Sequence, residues 1–212
     1  PPINYQSTKM TIGADVSGVN PTIGEIDELR ITVGIAREFD TIVLPSQAFP
    51  RDIYHDPYFN RVTFLSGFDN ITADPTKFDE SNSALVLEVI GSEEEVLDYS
   101  SGRKTVTLKN NASLVNRVNW GKALMLGTGY AVVEPSDSFI LEVNDFTIEF
   151  WFSLTAPGYN GVILDMQDPG VQNGIKIVIQ SNKLKVVVNG KPLLSSILDF
   201  PTDVQTFISL ER

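Results

Sequence analysis

The chain has 212 residues, 42% hydrophobic and 20% charged, which is enough apolar material for a sizeable core and argues against wholesale disorder. Sixteen Lys and Arg against 27 Asp and Glu leave a net charge of −11, which repels phosphate backbones and anionic membranes and argues against nucleic-acid binding. No Cys is present, so disulfides, thiolate metal sites and thiol nucleophiles are excluded, and no apolar run approaches the roughly 20 residues that span a bilayer.

Short alternating or β-branched runs, interrupted by Gly, Asn, Asp and Pro, predict an all-β sandwich or barrel. The first predicted strands cover 9–14 and 26–33. Residues 44–57 carry three prolines and little alternation, so they read as a linker with a domain boundary near residue 50. Strands follow at 61–66, 84–90, 104–109, 122–127 and 130–133. The acidic run at 92–97 is one helical turn at most and reads as a solvated charge run.

Residues 146–154, FTIEFWFSL, place Phe146, Ile148, Phe150, Phe152 and Leu154 on one face and so predict a central strand. Trp151 falls on the opposite face, where packing under a neighbouring strand or loop is favoured over stacking on a sugar. A strand at 161–166 precedes the clearest local structure. In 174–195, Ile175, Ile177 and Ile179 alternate with mostly polar residues, Ser181-Asn182 turns the chain, and Leu184, Val186 and Val188 return. Asn189-Gly190 then predicts a second tight hairpin into 191–195. A last strand is expected at 206–210. The Pro1-Pro2 start without Met and the alternating end at 203–212 read as those of a piece of a longer chain.

The run from Gly121 to Leu154, then 161–190, then TFISLER resembles a concanavalin A-like jelly roll of the laminin-G type. In that resemblance GKALML, Tyr130 and DFTIEFW fill the places of successive family strands, and 96–112 resembles the early strand pair. DPYFNRVTFLSGFDN, 56–70, is similar to the start of such domains in tailed-bacteriophage virion proteins, where they often come in series. MTIGA at 10–14 with GEIDELRIT and GIARE resembles the last two strands of a laminin-G-like domain.

The resemblance therefore implies tandem domains. Residues 1–48 would be the C-terminal strands of a first domain, 49–58 a linker, and 59–212 a second jelly roll lacking its closing strands. Between Asp69 and Glu95 the chain departs from the family with a long acidic insertion, which reads either as a partner-binding feature or as decoration.

Glu25 and Asp27 look like the opening of the acidic motif of laminarinase-type glycoside hydrolases. Retaining enzymes of that kind need two carboxylates roughly 5–5.5 Å apart. The place of the second catalytic Glu holds Leu29 or, with a bulge, Arg30. Strand alternation would put Leu29, Ile31 and Val33 on the face of Glu25 and Asp27 and turn it into a core, leaving Asp27 to bond nearby backbone N–H groups. His55, the only His, sits in the Pro-rich segment and reads as an exposed side chain. No catalytic residue is expected.

Calcium-binding laminin-G-like domains supply an Asp where this chain has Asn173-Gly174, with Asp165 and Asp168 upstream. Asp168 and Asn173 are thus the candidate ligands of a weakened calcium site. Glycan binding, the usual attribution of the fold, would draw on Tyr159, Asn160, Gln172, Asn173 and Asn189, residues that also serve as turn formers. The resemblance implies a virion structural protein (fibre, spike, baseplate or head decoration) assembled with other subunits and with copies of itself, attaching to host-surface glycans. A bacterial cell-surface or secreted carbohydrate-binding adhesin module is the alternative, and a glycoside hydrolase the third reading.

Overall fold

The computed structural model describes residues 9–37, 44–68, 96–117, 121–141, 144–168 and 170–212. In chain order the strands are β1 (Met10–Ile12), β2 (Gly24–Val33), β3 (Val62–Ser66), β4 (Val106–Lys109), β5 (Ser113–Arg117), β6 (Gly121–Met125) and β7 (Tyr130–Val133). They continue with β8 (Phe146–Leu154), β9 (Gly161–Gln167), β10 (Gly174–Gln180), β11 (Lys183–Val188), β12 (Lys191–Ser195) and β13 (Thr206–Glu211). The strand expected at 84–90, and the insertion around it, lie outside the described residues.

The strands form two antiparallel sheets packed as a sandwich. One runs β12-β11-β10-β9-β1-β7-β4; the other runs β13-β8-β2-β6-β5, with β3 also paired to β2. The core fills the space between them. Phe146, Ile148, Phe150, Phe152 and Leu154 of β8 are all buried there, and each such side chain contributes roughly 1.5–3 kcal/mol. Ile175, Ile177 and Ile179 of β10 face them from the other sheet with Val186 and Val188 of β11. The two hairpins of this sheet close as expected: Ser181 and Asn182 both have positive φ, as do Asn189 and Gly190.

The expected division into two domains is corrected. β1 lies inside the first sheet, between β9 and β7, and β2 lies inside the second, with β8 on one side and β6 then β3 on the other. Residues 10–33 are therefore central strands of the same sandwich that holds 62–211. The physical reason is that Ile26, Leu29 and Ile31 complete the apolar layer begun by β8. Nor is 49–58 a free linker: Phe49 and Asp56 are buried against the second sheet. One strand, β5, escaped the sequence pattern because its two apolar residues, Leu114 and Val115, are adjacent and it forms a mostly exposed edge.

Candidate functional site

The geometry of β2 turns on one residue. Glu28 has φ +49°, and the pairing of β2 with β8 gains one residue there: Asp27 lies opposite Trp151, whereas Arg30 lies opposite Glu149. This is a β-bulge, and it inverts the alternation. Ile26, Leu29 and Ile31 point into the core, while Glu25, Asp27 and Arg30 project from the outer face of the second sheet. The expectation that Glu25 and Asp27 share the face of Leu29 and Ile31 is thereby corrected. Asp27 does bond backbone as expected, accepting from the Glu28 N–H at 2.8 Å.

Arg30 is the centre of a buried ionic cluster on that outer face. Its Nε and Nη2 contact Glu149 Oε2 at 2.8 and 2.7 Å, and its Nη1 reaches Asp56 Oδ2 at 3.3 Å. Arg37 grips both Asp56 oxygens, at 3.1 and 2.7 Å, and lies 3.9 Å from Glu149. The Arg30 guanidinium also covers the Phe49 ring, 4.0 Å from its centroid. Two cations thus face two carboxylates, with almost no water around them. Burial pushes the Glu149 carboxyl above its usual range, against the pull of Arg30 and Arg37. Burial likewise draws Arg30 down, opposed by Glu149 and Asp56.

The other acidic residues of β2 are also engaged. Glu25 is ion-paired with Arg117 of β5, and Glu28 accepts from the Phe49 N–H at 2.8 Å. Trp151 is half-buried, its ring 5.2 Å from that of Phe207 on β13, which fits a packing role. Chemically, the bulge sets a guanidinium, Arg30, on the outer face beside Glu25 and Asp27, and arginine does not release a proton in proteins. His55 is exposed and contacts Asp52 at 2.8 Å.

The residues expected to bind calcium or glycan fall at two ends of one strand. At the end of β9, Asp168 and Asn173 bracket a tight loop, joined by the Asp168 N–H donating to the Asn173 carbonyl at 2.8 Å. Asn189 Oδ1 accepts from the Gly174 N–H at 3.1 Å, and Gln172 lies against Gly190. Asp168, Gln172, Asn173 and Asn189 are therefore neighbours. Tyr159 and Asn160 precede β9, about 20 Å away along its length. Tyr159 packs against the core, and Asn160 Oδ1 accepts from the Ser181 N–H at 2.7 Å. One sugar ring cannot touch both groups.

No third Asp, Glu or His joins Asp168 to make a metal-sized cluster among the described residues. Asp165 faces elsewhere: it accepts from the Val16 and Gln167 N–H groups and meets Lys176 Nζ at 3.1 Å. Burial raises its pKa against the effect of Lys176. A feature with no sequence signal is a groove of about 670 Å³ where the two sheets end, lined by Leu184, Leu198, Phe200, Ile208 and Glu211 among others. Its walls come from segments with no common motif. Comparison with family models, with curated proteins and with solved structures gives no match.

Proposed function

We propose that the chain is a structural protein of a tailed-phage virion, part of a fibre, spike, baseplate or head decoration, with a role in attachment to host-surface glycans. The reading rests on the resemblance of FTIEFW, IDELRIT and their neighbours to laminin-G-like virion domains. The antiparallel sandwich supports it at the level of architecture alone. The observation that weighs most against the hydrolase reading is Arg30, which with Glu149 and Asp56 forms a closed ionic cluster where that reading needs a free acid. A carbohydrate-binding adhesin module of a bacterial surface fits the same features and is the second reading.

For the glycan, the end of β9 is the better location because it gathers Asp168, Gln172, Asn173 and Asn189. Titrating the chain with host cell-surface polysaccharide, with and without calcium, is expected to give saturable binding. Gln172→Ala, at an exposed position, is expected to weaken it about fivefold, the loss of one hydrogen bond worth about 1 kcal/mol. No reducing ends should be released from a panel of β-glucans. Absence of binding under both conditions refutes the attachment role, and release of reducing ends restores the hydrolase.

A further inference from the structure

Among the described residues, no strand covers the outer edge of β13, the last strand of the second sheet. Arg212 and Phe146 exchange both main-chain hydrogen bonds at 3.1 Å, which sets the phase of the β13–β8 ladder. Residues 206, 208 and 210 therefore spend their N–H and C=O groups on β8, and Phe207, Ser209 and Glu211 turn theirs outward. No described strand pairs with that side.

The other edges are each blunted. β12 carries Pro192 and a register shift, and β4 is met by Val96. β3 is capped by Tyr99 and Asp98, and β5 projects exposed Asn116 and Arg117. β13 has no proline, lysine or bulge to deter pairing.

Beside this edge lies the groove of about 670 Å³, with Leu184, Leu198, Phe200 and Ile208 in its walls. Five of the eleven large exposed apolar side chains of the described residues fall within 193–204, and two of them, Ile197 and Leu198, are 92% and 78% exposed. So much apolar surface on one side of a sandwich marks an interface. The charges next to it nearly balance: Lys183 pairs with Asp199 at 2.7 Å and Glu211 is followed by Arg212, which leaves the exposed Asp203 as the excess charge. In a chain of net charge −11 this side carries little net charge, so two like surfaces meet here with little repulsion, whereas a basic partner would be drawn elsewhere.

We infer that the β13 edge joins a second copy of this chain, β13 to β13 antiparallel across a twofold axis centred on Ser209. Ser209 then faces its own counterpart, and Phe207 faces the partner's Glu211. About six main-chain hydrogen bonds form across the seam. On the inner face Ile208 and Leu210 meet the partner's Leu210 and Ile208, which extends the apolar contact from the groove. The inference stands on the edge itself and not on the virion reading, so either can fail alone.

The test is the mass of the purified chain by light scattering between about 1 and 100 µM, the range of weak homodimers. The wild type is expected at twice its 23.4 kDa. Ser209→Pro removes an N–H that faces away from β8, so the strand stays in its sheet while the seam loses its centre. Ser209→Lys keeps the N–H but sets two ammonium groups against each other on the axis. Both variants are expected to keep the wild-type circular dichroism spectrum and to raise the dimer Kd at least tenfold. A wild type that is monomeric throughout the range overturns the inference, as does a dimer that Ser209→Lys leaves intact.

Discussion

Replacing Arg30 with Met is expected to cost about 3–5 kcal/mol of folding stability, read from urea unfolding at neutral pH. The substitution keeps most of the packing over Phe49 but leaves Glu149 buried without its closest cation. Arg37, 3.9 Å from Glu149 and committed to Asp56, replaces little of it. Much of the loss is the penalty of the stranded carboxylate, so adding Glu149→Met should recover a large part of it.

The pH dependence has a definite sign. A carboxyl whose folded pKa is raised binds more protons folded than unfolded, so its contribution to stability declines as pH rises through that interval. Glu149 is already raised by burial, and removing Arg30 raises it further. The variant's deficit should accordingly shrink as pH falls through the acidic range and be largest at neutrality. A deficit that is independent of pH would mean that lost packing, not stranded charge, sets the cost.

Leu29→Ala carries the second large effect, about 2–5 kcal/mol, the usual cost of emptying a fully buried leucine site. Leu29 follows the bulge and joins Ile31, Phe150 and Phe152 in the core. Because β2 is central to its sheet, the whole sandwich should feel the loss. Far-UV circular dichroism and tryptophan fluorescence are expected to shift together in one transition. Two separated transitions, with only the smaller one moved, would place β2 in a unit of its own.

The strands that could be read from the sequence are those in which one face is entirely apolar, β8, β10 and β11 above all. There the period of two is unbroken and the turns carry Asn and Gly at positive φ. The bulge at Glu28 gave no such sign, because glutamate is not a residue that marks the left-handed region. Missing it assigned Asp27 and Leu29 to one face. The ionic cluster was equally hidden: Arg30 and Glu149 are 119 residues apart, and only the β2–β8 register brings them together.

The placement of β1 and β2 was lost for a different reason. Their likeness to closing strands is a property of their local pattern, which does not say which sandwich they close. At the candidate glycan site, Asn and Gln fall between strands, and only Asn189 lies in a turn. They could not reveal that β9 separates Tyr159 and Asn160 from the other three.

Residues 10–33 are structural strands of the same sandwich as 62–211, and both sheets depend on them. Inserting a protease site between the exposed Ser46 and Gln47 and cutting the folded chain there tests this most directly. The two pieces are expected to co-elute from a sizing column in native buffer and to part only in denaturant, since separating them would open both sheets through their middles. Pieces that separate in native buffer while each keeps its β-sheet spectrum would contradict the account.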